Sequence, residues 1–116
     1  MMKKQKINFK FKEKKISLEV GICRGLGMVR GLMFRSRERA PVLLFDFSKS
    51  CLLEIHSWFV FFPFVAVWLG SDGKVVEMKV VRPWKISVKP SRKFKTLVEI
   101  PLNNKYSKVT KILVGK

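Results

Sequence analysis

Apolar and polar positions alternate strictly near the start of the chain. Ile7-Asn8-Phe9-Lys10-Phe11-Lys12 has period two, and Lys15-Ile16-Ser17-Leu18-Glu19-Val20 resumes it. Ile16, Leu18 and Val20 therefore share one face of a strand while polar residues take the other. A lysine-rich outer face suits an edge strand, because charge discourages pairing with other molecules. Residues 1–6 are basic and are expected to form a flexible N-terminus.

The spacing changes between Gly21 and Arg39. Cys23, Leu26, Met28, Val29, Leu32 and Met33 leave an apolar stripe, which predicts one short helix near residues 22–33. Gly25, Gly27 and Gly31 each cost about 1 kcal/mol in a helix interior, so the element is kept short. Ala40-Pro41 then ends regular structure, because a residue before proline avoids the helical region. Val42 to Phe47 reads as a strand, Ser48-Lys49-Ser50 as a turn, and Leu52 to Val60 as another strand. Pro63 interrupts this last one, and Phe64 to Leu69 resumes as a buried strand. Gly70-Ser71-Asp72-Gly73 has turn chemistry and joins it to Lys74–Val81 as a hairpin. Trp84 to Val88 reads as a short loop or strand, Phe94 to Ile100 as a strand, and Tyr106 to Val114 as a loosely alternating edge. The sum is a mainly β (α+β) domain over residues 1–116. It is expected to be a compact curved sheet or small barrel of about six to eight short strands with one short helix.

The run from Ile55 to Leu69 concentrates Trp58, Phe59, Phe61, Phe62, Phe64 and Trp68 around a single ionisable residue, His56. It makes a poor membrane span. The uncharged stretch from Ile55 to Ser71 is roughly 17 residues against the ~20 required, and Pro63 lies in its middle. The basic N-terminus lacks the apolar region that a secretory signal needs. Together these predict a soluble, cytoplasmic protein without a transmembrane segment.

Charge adds a second theme. Lys and Arg number 25 against 8 acids, a formal charge of +17. Such a surface attracts polyanions, so RNA or DNA is a candidate partner. Arginines cluster at Arg24, Arg30, Arg35, Arg37 and Arg39, whereas lysine dominates elsewhere; guanidinium forks bind phosphates and carboxylates in bidentate fashion. Catalytic candidates are few. His56 is the sole histidine, and Glu77 and Glu99 read as a solvated face or a strand-end ion pair. Cys23 and Cys51 lack a C-x-x-C spacing, are expected to be reduced thiols with at least one buried, and cannot complete a zinc set. No phosphate-binding loop or dinucleotide fingerprint is present, so neither cofactor nor metal is expected.

Val29-Arg30-Gly31-Leu32-Met33-Phe34-Arg35, followed by Leu43-Leu44-Phe45, resembles the core motif of the DUF192 family, also called UPF0127, a group of small bacterial and archaeal domains. That family's pattern runs from an R-G-L-M-F-R block through an L-L-F strand to an aromatic block, a D-G-K-V-V-E hairpin and a late L-E-L-P segment. Ile55 to Pro63 is similar to the archaeal variant of the aromatic block. Asp72-Gly73-Lys74-Val75-Val76-Glu77 and Val98-Glu99-Ile100-Pro101 match the later blocks, so the likeness spans residues 18 to 105. Pro63-Phe64-Val65 departs from the pattern, since the family usually carries an acid after this proline, and any role of that carboxylate would be lost or moved here. Many members carry an export signal or membrane anchor, which is not expected in this chain. The resemblance implies a compact β domain with the arginine motif on its helix, and it implies no activity.

Two functional readings follow. The first is a non-enzymatic module binding a small anionic or sugar-like ligand in a cleft lined by Arg30, Arg35, His56, Phe59 and Phe62. The alternative is a basic accessory protein that binds nucleic acid. An enzyme is disfavoured by the thin catalytic inventory.

Overall fold

The structure, a computed structural model, describes residues 3–23, 32–51, 55, 57, 59–85 and 87–115. Six strands form one mixed sheet: β1 (Lys3–Phe11), β2 (Lys14–Cys23), β3 (Leu43–Cys51), β4 (Phe64–Leu69), β5 (Val75–Val81) and β6 (Phe94–Pro101). Their order is β1-β2-β3-β6-β4-β5, antiparallel throughout except where Gly21–Cys23 of β2 runs parallel to Leu43–Phe45 of β3. One helix, α1 (Ser107–Val114), and a 3₁₀ turn at Arg37–Arg39 complete the elements among the described residues. The mainly β expectation holds as a curved sheet that does not close into a barrel. No helix of the described residues is long and apolar enough to cross a membrane.

The sheet divides two apolar layers. On one side Val65, Val67, Val98, Ile100, Leu44 and Val42 pack beneath the inner face of the β1–β2 hairpin and Leu113 of α1. On the other side Phe62, Phe64, Trp68, Phe94, Phe45 and Leu97 form an aromatic layer, with Leu32 and Val60 from the loops above them. β4 is an interior strand covered on both faces. All six of its residues are buried, which explains why it reads as a continuous apolar run rather than an alternation.

Local chemistry accounts for the connections that sequence reading anticipates. In the β4–β5 loop Gly73 has φ 78°, its N–H bonds the Gly70 carbonyl at 3.0 Å, and the Asp72 carboxylate accepts from the Lys74 N–H at 2.9 Å. The β1–β2 turn is less usual. Lys12 (φ 48°) and Glu13 (φ 67°) hold left-handed conformations that Asn-Gly would adopt far more readily.

Several expectations need correction. Residues 3–6 lie within β1, paired with Ile22 through Glu19. Ser48-Lys49-Ser50 continue β3 instead of turning. The pairing with β6 shifts between Asp46, opposite Thr96, and Cys51, opposite Phe94, so a local irregularity absorbs the polar residues. The tail from Ser107 to Val114 is a helix and not an edge strand. Thr110 and Leu113 are buried, and Tyr106, Val109 and Val114 pack beside them, a stripe at helical spacing. Gly115, at φ 77°, closes that helix with its N–H on the Lys111 carbonyl. Of the helix expected near residues 22–33, residues 24–31 lie outside the described residues, Ile22 and Cys23 end β2, and Leu32-Met33-Phe34 form a turn. Of the strand expected from Leu52 to Val60, residues 52–54, 56 and 58 lie outside the described residues; Ile55 forms a bridge with Val88, and Phe59 lies in a turn.

Candidate functional site

The aromatic layer is roofed by three loop segments, whose described residues are 32–35, 57 with 59–63, and 82–85, and they meet through hydrogen bonds that start from Ser57. This serine is fully buried. Its Oγ donates to the Arg82 carbonyl at 2.7 Å and accepts from the Lys85 N–H at 2.6 Å. Its carbonyl accepts from the N–H groups of Trp84 at 2.9 Å and Val60 at 3.2 Å, while its own N–H donates to the Lys85 carbonyl at 2.9 Å. The Phe34 N–H reaches the Phe59 carbonyl at 2.9 Å and so adds the third segment. Every polar atom of a buried serine is thereby used to hold two loops at fixed separation.

This scaffold presents aromatic rings outward. Phe34 and Phe59 stack at 4.9 Å between centroids, Trp84 meets Phe59 edge-on at 5.0 Å, and Phe61 meets Trp84 at 5.7 Å. All four are exposed, from 37% for Phe59 to 61% for Phe34. Three of them hold left-handed backbones: Phe34 at φ 61°, Phe59 at φ 57° and Trp84 at φ 63°. Each such residue costs on the order of 1–3 kcal/mol, and aromatic side chains gain nothing local in return. Burial does not repay the cost, because the rings face solvent.

Beside this platform is a cleft of about 560 Å³, walled by Arg37, Glu38, Pro63, Arg82, Asn104 and Ser107 among others. The platform and the cleft draw on the same two loops: Phe61 stands two residues before Pro63, and Trp84 two after Arg82. Arg37 is fixed by its Nε donating to the Leu102 carbonyl at 2.6 Å. The buried Asn103 braces the wall through its Nδ2, which donates to the Arg37 carbonyl at 2.8 Å and the Ala40 carbonyl at 3.3 Å. The Glu38 carboxylate accepts from the Asn104 N–H at 3.0 Å. No ion pair involves Arg37 or Arg82 among the described residues.

Beneath the roof lies an ionisable group whose charged form its surroundings disfavour. Glu99 is 6% exposed and stands in register between Leu43 and Ala66, on the aromatic side of the sheet. Burial pushes its carboxyl up to about 8. The neighbouring Cys23 thiol is pushed up to about 11, first by burial and then by Glu99, with the half-buried Arg35 opposing. Glu77, by contrast, is held below the usual carboxylate range, first by the Ser91 hydroxyl at 2.7 Å and then by the Ser91 N–H. It also pairs with Lys79 at 3.3 Å. An ion pair therefore forms at Glu77, though within β5 and not at a strand end, whereas Glu99 is neither solvated nor paired at an exposed strand end.

The expected site residues separate. Phe59 is on the platform. Phe62 is buried in the aromatic layer, 1% exposed, with no face toward solvent. Arg35 sits near enough to Cys23 to act on its thiol and does not line the cleft. Arg30 and His56 lie outside the described residues. Sequence reading overlooks Phe34, Phe61, Trp84, Ser57 and Arg82. For Phe61 and Trp84 the available signal was proximity to prolines, since Pro63 and Pro83 mark loops where an aromatic ring is not committed to a strand face.

Comparison with known proteins gives the same grouping. The DUF192 family model, described as an uncharacterized ACR, matches residues 7–115. A UPF0127 protein of Pyrococcus abyssi is 31% identical over 85 residues, covering 73% of this chain and 70% of the relative. The chain belongs to the DUF192 (UPF0127) family. Two solved structures share the fold. One, from Sinorhizobium meliloti 1021 and provisionally described as a transcription regulator, has a TM-score of 0.75 at 15% identity over 93% of this chain and 87% of its own. The other is a protein of unknown function from Novosphingobium aromaticivorans, with a TM-score of 0.74 at 12% identity over 91% of this chain and 78% of its own.

Proposed function

We propose that this protein is a non-enzymatic binding module for a small anionic ligand that also carries a sugar-like or otherwise flat apolar face. The observation that carries the reading is the platform of four exposed rings in mutual contact, three of them on left-handed backbones, next to an arginine-walled cleft. Exposed aromatic clusters on a small domain mark interaction surfaces, and strained backbones concentrate where binding requires them. The ring faces of Trp84 and Phe61 suit the apolar face of a sugar, and the guanidinium groups of Arg82 and Arg37 suit a phosphate or carboxylate. Catalysis is not favoured by the groups nearby. The Cys23 thiol stays protonated at neutral pH and is a poor nucleophile, and Glu99 is sealed beneath the roof. A free, buried Cys23 agrees with a cytoplasmic setting.

The test is titration of the isotope-labelled protein with hexose phosphates and hexuronic acids. Amide and indole shifts should appear at Trp84, Phe61 and Arg82, and Trp84→Ala and Arg82→Gln should each weaken binding about tenfold, or 1.4 kcal/mol. If neither ligand class moves these resonances, the reading is wrong.

A further inference from the structure

The alternation that opens the chain places a dense array of cations on a surface unrelated to the aromatic platform. In the β1–β2 hairpin the inward positions, Ile7, Phe9, Phe11, Ile16, Leu18 and Val20, pack into the aliphatic layer. The opposite face shows Lys4, Lys6 and Lys10 of β1 and Lys15 of β2, all exposed, with Glu19 as its one acid. Glu19 stands opposite Lys6 in the ladder, but among the described residues no carboxylate comes within ion-pair distance of any of these four lysines. Lys12 and Lys14 extend the array around the turn. Lys10 and Lys12 also border, with Lys74, a cleft of about 490 Å³ between the end of β1 and the start of β5.

Protection of a free strand edge does not explain this arrangement. Lys10 and Lys15 are direct partners in the ladder, so two like-charged side chains leave the backbone from Cβ atoms roughly 5 Å apart, a placement that destabilises a hairpin. The left-handed Lys12-Glu13 turn adds a further local cost. A polyanion laid on this face relieves the repulsion. The face also restricts which polyanion fits. Phe9 and Phe11 point inward, so the outer face of the strands has no ring on which an unpaired base could stack. Lysines are point charges without the fork that reads guanine, so sequence is not read either. Same-face neighbours along a strand stand about 6.8 Å apart, and a two-stranded ribbon matches the width of a duplex groove between two phosphate rows. None of the exposed large apolar side chains lies on the hairpin, which disfavours insertion into a bilayer.

We infer that the outer face of the β1–β2 hairpin binds the phosphate backbone of double-stranded nucleic acid without reading its sequence. This surface and partner are separate from the small-ligand site, and either proposal survives failure of the other.

The experiment measures fluorescence anisotropy of a short random-sequence DNA duplex, and of its single strand, over a range of salt. Three proteins are compared: the unaltered chain, a Lys6→Gln/Lys10→Gln/Lys15→Gln variant, and a control, Lys105→Gln/Lys108→Gln/Lys111→Gln, with the same loss of charge on exposed residues near the C-terminus. The unaltered chain should bind the duplex at least as tightly as the single strand, with affinity falling steeply in salt. The hairpin variant should bind at least tenfold more weakly, with a log–log salt slope shallower by about 2.7, while the control changes little. Far-ultraviolet circular dichroism and thermal melting check that both variants fold. Equal weakening in the control would assign binding to net charge and overturn the proposal, as would tighter binding to the single strand. Absence of duplex binding, or binding only to phosphatidylserine-containing vesicles, also overturns it.

Discussion

The two sides of the sheet are built by different rules. The aliphatic side is closed by regular elements, a period-two hairpin and a short amphipathic helix, and apart from Phe9 its buried residues are valines, isoleucines and leucines. The aromatic side is closed by loops, which are held by the hydrogen bonds of one buried serine and by rings in left-handed backbone, over a carboxyl that burial keeps largely protonated at neutral pH. One side is optimised for packing. The other accepts strain and a buried acid, and it is the side that carries the ring platform. Local costs that packing does not require mark where a fold has been shaped for another purpose.

The contrast can be broken most strongly at Glu99. Its folded pKa, about 8, lies above that of an unfolded glutamate, so the folded state holds more protons between about 4.5 and 8. Stability from this group is full below that window and is lost as pH rises through it, by up to about 4–5 kcal/mol. Glu99→Gln should therefore melt increasingly above the unaltered chain from pH 5 to pH 9. A gap that does not vary with pH would mean that Glu99 is ionised in place.

Next in size is the aromatic packing itself. Phe62→Ala should cost about 3–5 kcal/mol in chemical denaturation, and Ile100→Ala on the aliphatic side about 2–5 kcal/mol. Only the first should shift the Trp84 indole resonance; movement of that resonance by both would show the layers to be coupled through the sheet. Ser57→Ala removes two hydrogen bonds and should cost about 1–3 kcal/mol. It should also abolish ligand-induced shifts at Trp84, and retention of those shifts would deny Ser57 its role in holding the loops. The smallest effect is expected at the turn, where Lys12→Asn with Glu13→Gly should raise stability by about 1 kcal/mol. No gain would mean that the turn is unstrained.

Regular structure was legible wherever one face of an element meets solvent. The β1–β2 alternation and the Asp72-Gly73 hairpin could be read residue by residue, because a half-buried strand records its orientation in every second side chain. Tyr106 to Val114 was misread because a short segment with apolar residues at 106, 109, 112, 113 and 114 satisfies a loose alternation almost as well as a helical stripe. The site was hardly legible. Phe59 and Phe62 look equivalent in sequence, yet one faces solvent and the other is sealed in the core. Their difference depends on the left-handed turn at Phe59, for which an aromatic residue gives no local signal. Glu99 sits in a strand whose pattern permits a solvated face, and only the loops folded above the sheet remove water from it.

By itself the sequence determined the β-rich class, the family, the outward lysines of the first hairpin and the tight turn between β4 and β5. Each of these rests on interactions between residues near one another in the chain or on a pattern repeated along it. The tertiary structure alone decided which rings became a surface, that Arg82 and Arg37 share a cleft, and that Glu99 is a buried acid. Those outcomes depend on segments dozens of residues apart meeting across the sheet, where burial and electrostatics are set by neighbours that no local pattern names.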